Sequence, residues 1–410
     1  MAGTIITVPE DALHPKITHG ATRRWLAESE LQDGHSLMRF SPAEAPTPTV
    51  RQHLLTKASN ADPDRLDAYI ADLLVVGHLL IDSYEADEVV LDGTTGRVFS
   101  MWLYEKSPQN AELFPLAPSL EALTRFLTVI DEFGRLCGRF AGLADKTGAQ
   151  AVAEASALLM SVFTEEEWGD ADWGSAGPRS GWDHEIPAFW RMAALIRPMA
   201  LIAGPGKGLR LDLPKGLLDE EFGADEVVRV APSRLPAALE HEPTRRFLTE
   251  VGLPQEALMF WMDEEETLLL SLPEDRERSK QNPDHAHLWN GTDELPPEAE
   301  HLLVLGGLMH DFTVLIDGRT GAVHYAEYDA DRVVPVNADI STLAFTVWMH
   351  SRQQDLEEEH DFTDDFYHQL ADTMIATLAS VDPVACLPAT DPDDFRYWPE
   401  VFHDEAGSVL

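Results

Sequence analysis

The chain has 410 residues, 72 of them acidic and 30 basic, for a formal net charge of −42. A surface this negative is repelled by nucleic-acid phosphates and by anionic membranes, which excludes both as partners, and it attracts a basic protein. The hydrophobic fraction of 44% is that of a folded protein, the length has room for about two domains, and the two cysteines imply no disulfide scaffold.

In chain order, Thr4 to Val8 reads as a strand, followed by a turn with Pro9 and Pro15. Thr22 to Leu31 has helical period, with Thr22 as cap and Trp25 and Leu26 turned inward; Arg23 and Arg24 are expected in solvent or against local carboxylates. Leu37 to Phe40 is the first strand of a central sheet, and the polar stretch Ser41 to Asp67 reads as a surface loop. Leu73 to Gly77 and Val90 to Val98 then supply strands, the second interrupted by Asp92-Gly93-Thr94-Thr95-Gly96. Asp-Gly-x-Thr-Gly predicts a hairpin turn, because the aspartate can close an Asx turn and the glycines can take φ > 0. Phe114 to Leu116 is a short strand, and Ser119 caps a helix with Leu120, Leu123, Leu127 and Ile130 on one face. An Ala-rich helix over Ala149 to Val162 leads into an acidic, tryptophan-rich stretch. Gly204 to Gly208 lacks the Gly-Lys-Ser/Thr ending of a phosphate loop and reads as a linker.

The same programme then recurs. Thr244-Arg245-Arg246-Phe247-Leu248 repeats Thr22 to Leu26 at a displacement of 222 residues. Leu258 to Trp261 repeats the first sheet strand, Pro273 to Glu300 the polar loop, and Leu302 to Gly306 the apolar strand. Asp317-Gly318-Arg319-Thr320-Gly321 repeats the turn at 225, and Pro335 repeats Pro115 at 220. Asn337 or Asp339 caps a helix carrying Ile340, Leu343 and Val347. The acidic run Glu357-Glu358-Glu359 precedes a helix with Phe366, Leu370, Met374 and Leu378 at spacings of four. Ordered blocks at nearly constant displacement mean a tandem duplication. The expected fold is α+β in two tandem modules, residues 1–203 and 217–410, each a mixed β-sheet packed by helices.

No catalytic residue, metal ligand set or cofactor motif emerges. GxSxG and HExxH are absent, and the Asp-Gly-x-Thr-Gly turns lack the further carboxylates of a calcium loop. Cys137 and Cys386 lie in apolar contexts and read as buried structural thiols. His285 and His287 at i, i+2 have no neighbouring ligand in sequence. His360, Asp364 and His368 could present metal ligands on a helix face, which gives one alternative function, a metal-dependent hydrolase; a solvated polar face is the simpler account. A second alternative is an acidic nucleic-acid-mimicking inhibitor or an adaptor.

The partner-binding candidates are Trp168, Asp170, Asp172, Trp173, Trp182 and Asp183, assisted by Glu357, Glu358 and Glu359, because interfaces anchor on aromatic rings and use rim charges for steering. The amino terminus shows no basic run followed by an apolar one, and cysteines are few, so a cytoplasmic location is expected.

The blocks Thr244–Leu248, Gly252-Leu253-Pro254, Leu303–Gly306, Ile316–Val323 and Val336–Ile340, in that order, resemble the SUKH superfamily, especially its fourth subfamily of bacterial immunity proteins. The resemblance covers roughly Ala224 to Gln353 and repeats more weakly in Ile5 to Phe133, where Ala117-Pro118-Ser119 replaces the Asn-containing stretch. It implies an α+β fold that acts by binding, with a cognate toxin or effector, such as a basic nuclease, as partner.

Overall fold

The structure is a computed structural model that describes residues 5–6, 8–29, 31–32, 35–41, 47–58, 61–81, 84–163, 186–263, 267–281, 295–309, 312–326, 332–387, 395–407 and 409–410. The chain divides into two units, residues 1–144 with 154–195, and residues 145–153 with 196–410.

In the first unit β1 (Ile5–Ile6) pairs with β2 (Leu31–Gln32), and α1 (Gly20–Glu28) lies between them in sequence. The main sheet has five strands in sequential order: β3 (Met38–Phe40), β4 (Leu74–Ile81), β5 (Tyr84–Leu91), β6 (Val98–Trp102) and β7 (Glu112–Ala117). The connection from β3 to β4 is more than the expected surface loop, since it holds α2 (Val50–Lys57) and α3 (Ala68–Asp72). Thr49 caps α2 in a reciprocal capping box with Gln52. Val50, Leu54 and Ile70 are buried with Val75, Val90, Phe99 and Met101, so these two helices cover one face of the sheet. The alternating residues Val89, Leu91 and Val98 are buried as well, which requires cover on the opposite face. α4 (Leu120–Gly134) is capped by Ser119 as expected, with Ala122 N donating to Ser119 Oγ at 3.1 Å, and it buries Leu123, Phe126, Leu127 and Ile130. After α5 (Ala149–Met160), α6 (Ala188–Ile196) brings Trp190 against Phe126, ring centroids 4.8 Å apart. The buried indole donates Nε1–H to the Leu159 carbonyl at 3.2 Å, as a buried Trp must.

The second unit repeats this plan with additions. Gly204 to Gly208 is no open linker: β8 (Gly204–Pro205) and β9 (Leu211–Asp212) form a hairpin, and Leu211 N donates to Ser341 Oγ at 3.0 Å. α7 (Leu217–Phe222) follows, then β10 (Val227–Val228) paired with β11 (Leu253–Pro254), with α8 (Glu242–Glu250) between them in sequence. Six strands make the main sheet: β12 (Glu256–Ala257), β13 (Phe260–Met262), β14 (Leu302–Leu308), β15 (Phe312–Asp317), β16 (Val323–Ala326) and β17 (Val334–Asn337). Within the second polar stretch, α9 (Leu272–Gln281) buries Leu272 with Leu302, Val304 and Leu315. α10 (Ile340–His360) is capped by Asp339, which resolves the choice against Asn337. α11 (Phe362–Val381) buries Phe366, Leu370, Met374 and Leu378, and α12 (Tyr397–Phe402) ends the helices.

The α+β class in two modules is therefore observed, with one correction: every strand pairing among the described residues is antiparallel, not mixed. Neighbouring sheet strands are consecutive in sequence, so no parallel crossover is needed.

The two Asp-Gly-x-Thr-Gly turns show how closely the modules agree. Asp92 Oδ1 accepts from Thr94 N at 2.8 Å and Asp317 Oδ1 from Arg319 N at 2.8 Å, the expected Asx turns. The last glycine of each has φ > 0, +83° at Gly96 and +80° at Gly321. The first glycine is there for a different reason than conformational freedom, since neither Gly93 nor Gly318 has positive φ. The Gly93 carbonyl accepts from Thr18 N (2.8 Å) and His19 N (2.9 Å), and the Gly318 carbonyl from Glu240 N (2.7 Å) and His241 N (2.8 Å). A side chain on Gly93 would collide with the Lys16 carbonyl, and one on Gly318 with the Ala238 carbonyl. His19 and His241 are the residues before their helices; each ring Nδ1 lies 2.8 Å from the hydroxyl of Thr22 or Thr244. The threonines thus sit buried in the first turn, paired with the cap residue, where the sequence suggested the cap itself. Arg23 donates to the Ile17 carbonyl at 3.0 Å and Arg245 to the Leu239 carbonyl at 2.9 Å, so these arginines fasten the same loop. Trp25 is half-buried, less inward than expected, while Phe247 is buried.

Gly93→Ala and Gly318→Ala should each lower stability by about 2–4 kcal/mol, through a forced separation of turn and loop. Chemical denaturation of each variant measures this, and an unchanged midpoint would show that the contact does not hold the module together.

Candidate functional site

Of the partner-binding residues read from sequence, Trp168, Asp170, Asp172, Trp173, Trp182 and Asp183 lie outside the described residues, as do His285 and His287. The acidic run at the end of α10 is described, and its three carboxylates differ. Glu357 turns back onto α11, where its carboxylate accepts from Thr363 N at 3.0 Å and from the Thr363 hydroxyl. It supplies acceptors for a helix start, made reachable because Asp361 adopts φ +50° between the two helices. Glu358 and Glu359 are exposed.

His360, Asp364 and His368 do not come together as a ligand group. His360 closes α10, before the left-handed Asp361, and Phe366 within α11 has non-helical φ −144°, ψ 39°, which breaks the i, i+4 relation between Asp364 and His368. Asp364 is exposed, and His368 faces Glu405 at 3.7 Å and the His403 ring, which in turn meets Asp372 at 3.0 Å. Cys137 is exposed, against the expectation of burial; it follows the end of α4, outside the helix's packed face. Cys386 is partly buried, and burial, aided by the Asp382 charge, pushes its thiol up to about 12. Such a thiol is protonated at neutral pH and is no nucleophile.

The described residue group with the most concentrated chemistry is one the sequence reading missed, beneath α2 in the first unit. His78 on β4 and Glu88 on β5 are direct cross-strand partners. His53 and Lys57, one turn apart on α2, reach down to them: His53 Nε2 lies 3.2 Å and Lys57 Nζ 2.5 Å from Glu88 Oε1. Donor atoms of His53, His78 and Glu88 all lie within 4.8 Å of one another. Burial alone would raise the Glu88 carboxyl, but hydrogen bonds and charge from His53 and Lys57 outweigh it and hold the group below the usual carboxylate range. Burial lowers the His78 imidazole. A sequence signal did exist. Thr49-x-x-Gln52 marks a helix start, which puts His53 and Lys57 on one face of that helix.

A tandem α+β protein with the same clasp in both modules is what fold and site define. A family model described as SUKH-4 immunity protein matches residues 1–165 and again residues 213–404. The chain belongs to the SUKH-4 immunity protein family, as two tandem copies. No curated protein and no solved structure matches it significantly. Among the described residues no helix is long and apolar enough to cross a membrane.

In the second copy the end of the chain is tied to α10 by a buried histidine. His350 donates from Nε2 to the Val409 carbonyl at 2.8 Å, stacks on Phe402, and is lowered to about 4 by burial. Unfolding releases it to an ordinary imidazole near 6.5, so between pH 6.5 and 4 the unfolded chain takes a proton that the folded one refuses. Stability therefore falls as pH drops through that window, by on the order of 3 kcal/mol from this group. His350→Gln keeps an N–H donor but cannot titrate. Thermal midpoints measured between pH 7 and 4 should fall less steeply for the variant than for the unaltered protein.

Proposed function

We propose that this protein neutralises a cognate toxin by direct protein–protein contact, without catalysis. The observation that carries the reading is the immunity-family match over both modules. The formal charge of −42 supports a partner with a basic surface, such as a nuclease, whose approach the field would accelerate. Trp168, Trp173 and Trp182, set among Asp170, Asp172 and Asp183, have the composition of an interface centre with a steering rim. Glu358 and Glu359 are exposed and can add to the rim, whereas Glu357 is engaged with Thr363. A reducing intracellular setting suits such a role.

The test is capture of the purified products of neighbouring genes at low and high salt. Association should weaken as salt rises, because exposed charges are screened beyond about 10 Å at 0.1 M ionic strength. Trp173→Ala should weaken capture at least about tenfold, the effect of losing one hot-spot ring, with the thermal midpoint nearly unchanged. Reversing Glu358 and Glu359 to lysine should slow association with little change in dissociation. Capture that persists unaltered in Trp173→Ala, or unfolding of that variant, would remove the tryptophan stretch as the binding surface.

A further inference from the structure

We propose that His53, His78 and Glu88 form a binding site for a divalent transition-metal ion of the zinc class, which displaces the Lys57 ammonium from Glu88. The proposal is independent of the toxin partner.

Two imidazoles and one carboxylate are a donor set suited to zinc and its neighbours, with a remaining position for water. In a tetrahedral site with bonds near 2.0–2.1 Å, donors stand about 3.3 Å apart. His53 Nε2 and Glu88 Oε1 are already at 3.2 Å, and His78 is within 4.8 Å, so a modest side-chain movement closes the set. The framework is stiff: two donors are cross-strand partners in the sheet, and the third rides on a helix whose start is fixed by its capping box.

His78 supplies an independent pointer to a ligand. It is nine-tenths buried, yet its Nδ1 has no hydrogen-bond partner, and the Glu85 Oε2 carboxylate oxygen stands 3.8 Å away. A buried ring nitrogen left unpaired is costly. A metal ion would give the ring a partner through either nitrogen: on Nδ1 it fills the unpaired position directly, and on Nε2 it fixes the tautomer that presents Nδ1–H to Glu85, the kind of outer carboxylate that metal-bound histidines commonly use. The site also already attracts positive charge. Lys57 Nζ occupies it at 2.5 Å from Glu88, but that side chain is 39% exposed and can swing into solvent.

The duplication shows that the fold does not require this cluster. By strand register and by the matching bridges Thr49–Leu74 and Ser271–Leu303, His78 corresponds to Gly307, Glu88 to Thr313 and His53 to Asp275. In the second module the Trp261 ring lies over Gly307 instead.

Zinc titration of the metal-stripped protein, followed by calorimetry and by cobalt(II) visible absorption, tests the assignment. One ion per chain should bind, with intense tetrahedral cobalt bands and a raised thermal midpoint. His53→Gln and His78→Gln should each weaken binding about tenfold or more and abolish the bands. Lys57→Gln should tighten binding, because the competing cation is gone. Surface binding by the other histidines would survive both histidine variants, so unchanged stoichiometry and spectrum in either variant overturns the site. Unchanged affinity in Lys57→Gln overturns the displacement. Should His78→Gln fail to fold, His53→Gln, on the helix side of the cluster, decides the matter.

Discussion

One backbone carbonyl in each module, that of Gly93 or Gly318, joins the hairpin turn to the loop that starts the first helix, and the rest of the module is arranged around that joint. Each oxygen accepts two successive amide hydrogens from a segment some seventy-five residues earlier. Those amides precede α1 or α8, so the bond places the helix against one end of the sheet and fixes where its histidine cap and buried threonine fall. The approach of two backbones leaves no room for a side chain, hence glycine. The Asx turn sets the carbonyl's direction and the final glycine's positive φ returns the chain to the sheet. Helix, turn and sheet thus share one constraint, and a duplicated gene that kept the fold had to keep these positions.

That constraint is why the repeat was legible. The turn, the helix entrance and the apolar strands are local chemistry written in short words, and their spacing survives divergence. The polar connections were harder, because composition cannot distinguish a loop from a helix with one buried stripe. Their helices announce themselves only through Thr49-x-x-Gln52 and Ser271-x-x-Glu274; in the second, Ser271 N donates to Glu274 at 2.9 Å. The His53–His78–Glu88 group was invisible for a different reason. Its members come from three elements, and the pairing of His78 with Glu88 follows a register shift between Val75 and Gly77 that no sequence pattern announces. The histidine–aspartate spacing near His360 misled in the opposite direction, since the irregular backbone at Phe366 cannot be foreseen from an apolar stripe of spacing four.

The modules share a frame and differ in what they place on it. Where the first sheet carries Arg39 beside His78, the second carries Trp261 beside Gly307, at identical register. Arg39 is engaged with Glu85 at 2.8 Å, so one module covers this face with ion pairs and the other with an indole over bare backbone. Neither choice alters the clasp at the other side of the hairpin. Separation between a conserved joint and a permissive face lets a tandem protein keep its fold while its copies acquire different chemistry.

The copies diverge most after the last strand, and one side chain accounts for much of it. Asn337 in β17 stands where the first module has Ala117 in β7. It is buried, and its amide donates to Thr346 Oγ1 (3.3 Å) and Asp382 Oδ2 (3.1 Å) while accepting from Trp398 Nε1 (3.1 Å). Asp382 is itself fully buried and also accepts from Ala338 N at 2.9 Å and Val384 N at 3.1 Å. Each polar group in this set would cost about 1–3 kcal/mol if buried alone, so the members are worth having only together. The set links β17 to α10, to the end of α11 and to α12. An alanine at this position can hold none of them. The carboxy-terminal helices of the second module therefore depend on a polar residue in the sheet, and the first module, lacking it, completes its core with the apolar contacts of Phe126, Phe163 and Trp190 instead.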